Sequence, residues 1–393
     1  MKFVSSALLA FSLLVAGVSS SFAQQTDSSA CRMAVFLPLY LDSAFDASGN
    51  YRFDQNFPKY LNPGLEFYEG LQLAVDSLKK RGIQLDITVY DTRSATKSLR
   101  QILNEPAFDS MQLILGDVNL NELRTLAREA AIKGIPFVNT NFPNDGGITN
   151  NPDFVILNST LRSHFEALYR FIQRNWATSN ILYVRKKGGG EDLVRREFST
   201  IEKNTRSVPL TMKYINIENP ADLAPLMPYL DSNTKNIILV GSLDDNYGKR
   251  LCAQLASLYK TYPSKVFGMP TWDGIDFTTP EYTDLEIYYT TPFYYNPNDS
   301  LVVSIQQYFK NRFYSRPSDM VYRGYETILH FGQLLNEHQG KLNGSIGEKK
   351  FKVFNDFDIQ PVFLNKETPT LDYLENKKLY FIKKVNGNVV AVY

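Results

Sequence analysis

The chain has 393 residues, 42 basic and 41 acidic side chains, a net charge of +1 and 44% hydrophobic residues. That apolar fraction excludes a disordered chain, and charge that nearly cancels, with no basic stripe, argues against a nucleic-acid partner. Two cysteines cannot build a disulfide framework, which leaves Cys31 and Cys252 as two thiols or as a single bridge between distant elements.

The N-terminus reads as a targeting segment. Lys2 supplies a positive n-region, Leu8 to Val18 an apolar h-region, and Ser21-Phe22-Ala23 the small residues a signal peptidase reads. Cleavage is expected after Ala23, with the mature protein in the periplasm. The apolar run is too short to span a membrane, and no later segment approaches 18 consecutive apolar residues, so the mature chain is expected to be soluble and not membrane-embedded. A lipobox cysteine directly follows its apolar run, whereas Gln24 to Ser29 separate Cys31 from this one, which argues against lipidation there.

From Arg32 onward, short apolar runs alternate with helical patterns. RMAVFLPLYL reads as a strand, LEFYEGLQLAVDSLKK as a helix, QLDITVYD as a strand and TKSLRQILNE as a helix. MQLILGD, NLNELRTLAREAAIKG, IPFVNT and FVILNS continue the series, followed by the helix TLRSHFEALYRFIQRNWA and the strand NILYVRK. A second run comprises EDLVRREFSTIEKN, LTMKYINI, ADLAPLMPYL, NIILVGS, GKRLCAQLASLYK and KVFGMP. Such alternation predicts an α/β protein with two lobes, each a parallel sheet between helices. SLVVSIQQYFKNRFY and MVYRGYETILHFGQLLNE then read as helices, and KKLYFIKKVNGNVVAVY as a hairpin with a type I′ turn at Asn386-Gly387.

The stretch GLQLAVDSLKKRGIQLDITVYDT illustrates the local physics. Phe67, Leu71, Ala74, Val75 and Leu78 form one helical stripe, Lys79 to Arg81 suit the negative end of the helix dipole, and Gly82 suits a left-handed cap. Leu85, Ile87 and Val89 alternate with polar residues, which predicts a strand at a sheet edge.

Catalytic sets are absent from the sequence pattern. His164, His330 and His338 lack metal-ligand spacing, no G-x-S-x-G elbow occurs, and neither cysteine has a partnering histidine motif. No enzyme, metal or cofactor is therefore expected. Gly188-Gly189-Gly190 resembles a phosphate cradle, but Glu191 and Asp192 follow at once, so it reads as a βα turn.

In its full order, Gly70 with LAVD and a strand ending Tyr90-Asp91 resembles the first helix and second strand of the type I periplasmic binding proteins, the leucine/isoleucine/valine-binding family. IPFVNT, FVILNSTLRSHFEALYRFI, the helix bearing Gly324-Tyr325-Glu326 and the terminal hairpin are similar to that family in the same register. The resemblance is greatest to a divergent envelope branch whose domains can follow lysin-motif repeats, none of which is present here. It implies two Rossmann-like lobes joined by three hinge crossings near Leu157–Thr160, Thr291–Asn296 and Phe351–Asp358. Lobe 1 would comprise 32–158 plus 294–350, and lobe 2 would comprise 159–293 plus 351–393.

The resemblance also implies a ligand in the interlobe cleft, at the C-terminal ends of the strands, held by hinge closure. On the first lobe the candidates are Tyr40, Asp117, Asn119, Asn139, Thr140 and Asn141. In amino-acid-binding relatives the last positions grip a carboxylate and an ammonium, and here Asn largely replaces Ser/Thr. Asp117 could pair an ammonium or cap the following helix. On the second lobe the candidates are Ser242, Asp244, Trp272, Asp273 and Tyr294. Aromatics crowd the long segment Leu41 to Gly64, which either stacks on a ligand or packs on its own lobe.

These readings predict an exported, non-enzymatic protein that captures an amino acid, peptide or cell-wall fragment for a permease or sensor. The alternative is an envelope module of the same fold that touches cell-wall machinery without a small ligand.

Overall fold

A computed structural model describes residues 30–54, 56–365, 367 and 370–392; the expected leader and its cleavage after Ala23 lie outside them. The first lobe opens with β1 (Cys31–Leu37), α1 (Leu41–Ala44), α2 (Asn62–Lys80) and β2 (Leu85–Asp91). α3 (Leu99–Leu103), β3 (Leu113–Gly116), α4 (Leu120–Lys133), β4 (Phe137–Asn139) and β5 (Phe154–Ile156) follow. The second lobe takes α5 (Leu161–Trp176), β6 (Asn180–Arg185), α6 (Gly189–Asn204), β7 (Met212–Asn216) and β8 (Asn236–Val240). It continues through α7 (Asp245–Ser257), β9 (Ser264–Phe267) and β10 (Glu286–Thr291). The chain then returns to the first lobe with α8 (Ser300–Phe313), α9 (Asp319–Glu337), β11 (Ile359–Val362) and β12 (Tyr373–Asn376), and ends in the second with β13 (Tyr380–Val385) and β14 (Asn388–Val392).

Two seven-stranded sheets result, in the orders β11-β12-β5-β4-β3-β1-β2 and β14-β13-β10-β9-β8-β6-β7. Pairings are parallel except at the C-terminal strands, where β11–β12, β10–β13 and β13–β14 run antiparallel. Each sheet has an apolar cluster on either face. β2 lies at the end of its sheet and is only half-buried, as its alternation predicts. Asn386 and Gly387 take φ of 50° and 70°, the left-handed pair that a two-residue hairpin turn requires.

The predicted stripe of α2 faces α9, and the two helices meet at a pair of glycines. A Cβ on Gly70 would sit 2.0 Å from the Val321 carbonyl oxygen, and one on Gly324 would sit 2.2 Å from that of Phe67. Ser77 Oγ and Tyr325 Oη are 3.0 Å apart across the same contact. The recurring glycines of this region are therefore a packing requirement between backbones.

Three sequence expectations need correction. Residues 351–393 do not all belong to the second lobe, because β12 pairs in parallel with β5 and carries β11 beside it in the first sheet. Pro361 hides β11 in the sequence, since proline is tolerated only at such an edge. The third crossing is consequently the segment 377–379 between β12 and β13, while Phe351, Val353 and Phe354 pack on the first-lobe core. ADLAPLMPYL is not a helix but turns ending in a 3-10 segment, Met227–Tyr229, because Pro225 and Pro228 supply no N–H donors. Cys31 and Cys252 are both free, one in each lobe.

Buried carboxylates tie the crossings. Glu326, on α9, accepts Phe354 N at 2.9 Å, Asn355 N at 2.5 Å and Asn355 Nδ2 at 2.7 Å. Asn355 in turn accepts Tyr294 N at 2.8 Å, so one chain of bonds links α9 to the second crossing.

Candidate interlobe site

At the end of the first sheet's opening strand, an internal carboxylate already occupies the backbone donors that face the cleft. Asp91, at the end of β2, accepts Leu39 N, Tyr40 N and Leu41 N at 3.0, 3.1 and 2.8 Å. The N–H nest after β1, which would suit an anion, is thus filled by the chain's own carboxylate. Tyr40 holds φ of 55° there, and its ring meets Tyr60 edge-on at 5.0 Å. In the second lobe Glu191 sits at the Gly188 turn and accepts Ser242 Oγ at 2.7 Å. A Cβ on Gly188 would lie 2.4 Å from Glu191 Oε2, so the apparent phosphate cradle already holds a carboxylate.

The candidate residues separate accordingly. Asn119, not Asp117, caps α4, accepting Asn121 N and Glu122 N, while Glu122 returns the bond to Asn119 N at 2.9 Å. Asn139 is fully buried and closes its own turn, donating to Phe142 O at 2.6 Å and accepting Phe142 N at 3.0 Å. Thr140 is equally buried and donates to Gly116 O at 3.0 Å. Both side chains thus spend their polar atoms inside the first lobe. Asp244 caps α7 and accepts Lys186 Nζ at 2.6 Å. Trp272 is wholly buried in the second-lobe core, between Gly248 and Gly268, which leave room for its ring. Tyr294 lies at the hinge, its ring 6.1 Å from that of Tyr380.

A cavity of about 220 Å³ lies between the lobes, and of the residues expected from the sequence Asp273 is the one that lines it. The first lobe contributes Asn158 and Arg323, and the second contributes Thr271 and Asp273, with Phe293 and His164 beside the crossings. Arg323 donates from Nη1 to Asn141 Oδ1, and its guanidinium lies 3.9 Å from the Phe293 ring centroid. Asn141 Nδ2 donates to Asp117 Oδ1 at 3.0 Å, and Asn158 Nδ2 donates to Asn141 O at 2.6 Å. Arg323 therefore lines the first-lobe wall, held from behind by a relay through Asn141 to Asp117.

Burial pushes the Asp117 carboxyl up, opposed by the Asn141 bond and by Arg323. Asp273 keeps contact with solvent, yet protein crowds it closely enough that desolvation raises its pKa, and the Asp319 carboxylate adds to the effect. Burial holds His164 down at about 4, so it is neutral at pH 7, with Nδ1 2.7 Å from Thr290 Oγ1. The site joins a fixed guanidinium to a carboxylate on the facing lobe, an arrangement complementary to a ligand carrying both charges.

Arg323 escaped the sequence reading because it looks like a surface residue of a helix. Its signal was its place directly before Gly324-Tyr325-Glu326. The aromatics between Tyr40 and Tyr60 contact one another: Tyr51 meets Phe45, Phe53 and Phe57 at 5.8, 5.7 and 6.5 Å. Phe45, Phe57 and Tyr60 nevertheless remain 40%, 48% and 46% exposed. Among the described residues no cluster of His, Cys, Asp or Glu could hold a metal, and no helix is long and apolar enough to cross a membrane.

No protein-family model matches the chain, and no curated protein matches it in sequence. Solved structures do resemble it. One, from Rhodospirillum rubrum and assigned to branched-chain amino acid ABC transport, superposes with a TM-score of 0.67 at 13% identity, covering 92% of this chain and 100% of that one. The C-domain of LpoA from Haemophilus influenzae, a regulator of PBP1A, gives 0.57 at 13% identity, over 92% and 100% of the two chains. The branched-chain amino acid transporter substrate-binding protein LivJ from Streptococcus pneumoniae, in complex with isoleucine, gives 0.51 at 11% identity, over 92% and 98%. The chain has the type I periplasmic binding protein fold.

Proposed function

We propose that the protein is an exported, non-enzymatic binding protein that closes its lobes on a small zwitterionic solute, an amino acid or a short peptide. Arg323 would take the ligand's carboxylate and Asp273 its ammonium, with Asn158 and Thr271 as neutral partners. The observation that carries this reading is the cavity itself, since groups of opposite charge enter it from different lobes and a ligand bridging them favours the closed state. Delivery to a permease or a sensor would follow from closure, which changes the surface the lobes present together.

A thermal-shift screen of amino acids, dipeptides and muropeptides tests the reading, because ligand at about 100 times its Kd adds about 2.7 kcal/mol of stability. The expected result is a shift with one class, abolished in Asp273→Asn. No shift with any class, or a shift that survives the substitution, counts against it.

A second reading has its own observation. Phe45, Phe57 and Tyr60 form an exposed aromatic surface after β1, while Asn139 and Thr140 are turned inward. These features suit an envelope module that contacts cell-wall machinery, and the LpoA C-domain has a similar fold. Crosslinking to a protein partner that is lost in Phe57→Ser, with no ligand in the thermal screen, would favour this second reading.

A further inference from the structure

The outer face of the second lobe carries a groove of about 690 Å³ between α5 and α6, away from the interlobe cavity. Arg162, Glu166, Arg170 and Arg174 recur at four-residue steps along α5 and so form one row. Arg206 joins from the loop after α6, and Glu197 stands on α6. Arg162 pairs with Glu166 at 3.3 Å, whereas Arg170, Arg174 and Arg206 make no ion pair or hydrogen bond with any described residue. All three are exposed. Gln173 secures the lip of the groove, donating to Ser207 Oγ at 3.2 Å and Val208 O at 2.6 Å.

We propose that this groove docks an extended acidic peptide segment of a partner protein, with carboxylates at alternate positions facing Arg170 and Arg174 and a further one reaching Arg206. The spacing is the reason for an extended peptide. One i,i+4 step of a helix advances about 6 Å, and side chains on one face of an extended chain recur every about 6.7 Å, so an acid-x-acid segment keeps register with the row. Guanidinium forks suit carboxylates, and three of them without internal partners lose no existing bond on docking. A membrane surface fits less well, because basic surfaces that rest on lipid pair their cations with apolar side chains that insert. Here Ile201 is the apolar lining residue, and it is half-buried. The proposal is independent of what the interlobe cavity holds.

The test is fluorescence anisotropy of the full protein with a labelled peptide of alternating glutamate and serine, against the same peptide with glutamine in place of glutamate. Saturable binding is expected for the first peptide only, weakened about tenfold or more by Arg170→Glu with Arg174→Glu, as loss of two charge-assisted contacts implies. Arg206→Glu should weaken it less. Arg196→Glu, a charge reversal on α6 outside the groove, should leave it unchanged, with melting temperatures equal throughout. Absence of saturable binding, equal binding of the glutamine peptide, or undiminished binding by the double variant and by Arg206→Glu would overturn the proposal. Phosphatidylglycerol vesicles binding where the peptide does not would overturn it in favour of a membrane.

Discussion

Glu375 reaches from the end of β12 to Thr160, accepting its backbone N–H at 2.8 Å and its Oγ1 at 2.9 Å. The same oxygen accepts Ser163 Oγ at 2.7 Å, and Lys377 Nζ reaches the other at 2.6 Å. One buried carboxylate therefore fastens the first crossing to the third. Glu375→Ala should destabilise the fold by about 3 kcal/mol, because Lys377 and three donors lose their acceptor together. Urea unfolding measures this, and a change below about 1 kcal/mol would show the crossings to be held by other contacts.

Glu326 gives a pH dependence of defined sign. Burial pushes its carboxyl from 4.5 up to about 7, against its hydrogen bonds from Asn355 and Phe354. The folded state thus holds the proton more tightly than the unfolded chain, and this stabilisation, full below about 4.5, is lost as pH rises through about 7. His164 and His330, whose pKa values burial lowers, contribute with the opposite slope below their ordinary 6.5. The difference between wild type and Glu326→Gln isolates the carboxylate. Wild-type stability relative to the variant should fall between pH 5 and pH 8, and a flat difference would contradict the shift.

The glycine contact between α2 and α9 should tolerate no side chain. Gly324→Ala or Gly70→Ala should cost about 2 kcal/mol or more, since a methyl group meets a backbone carbonyl that cannot turn away. Gly190→Ala is the control. Nothing lies within 4 Å of its would-be Cβ, and the substitution in helix α6 should be neutral or stabilise by up to about 1 kcal/mol. Thermal melts of the three variants decide the point.

Asp117 and Asn119 should separate site from scaffold. Asn119→Ala removes a capping box and should cost about 1 kcal/mol without altering ligand affinity. Asp117→Ala frees Asn141 and with it Arg323, so affinity for the ligand found by thermal shift should fall well beyond twofold. Equal affinities in calorimetry would reduce Asp117 to a packing residue.

The aromatic segment should behave as a local unit. Tyr51 meets three neighbouring rings and donates from Oη to Asn56 O at 3.0 Å. Tyr51→Ala should make the segment 45–57 the first site of limited proteolysis while shifting the global melt little, because the lobe cores do not include it.

Much of the scaffold was legible because its signals are periodic. The stripe from Phe67 to Leu78, the alternation from Leu85 to Val89 and the Asn386-Gly387 turn each depend on residues close in sequence. β11 was not legible, since Pro361 and Gln360 read as a loop until a distant partner, β12, supplies the pairing. The site was harder for the same reason. Asn139 and Thr140 occupy strand-end positions, but whether a side chain there faces the cleft or its own turn depends on which buried donors need partners. Trp272 and Asp273 are adjacent, yet the first fills the core and the second lines the cleft. The guanidinium of Arg323 acquires meaning only when a crossing places Phe293 beneath it.

The path of the last crossing bears on the order in which the molecule is completed. Both sheets are built mostly from chain synthesised early, yet each waits for the C-terminal segment to add its outer pair of strands, β11–β12 to β5 and β13–β14 to β10. A nascent chain that stops short of residue 359 leaves an open strand edge in each sheet, the kind of surface that recruits other chains. It also lacks Glu375, so the first crossing has no fastener. The segment from β11 to β14 therefore completes both lobes together: neither sheet is capped, nor the first crossing fastened, before it is made, and its deletion should damage both lobes at once rather than one.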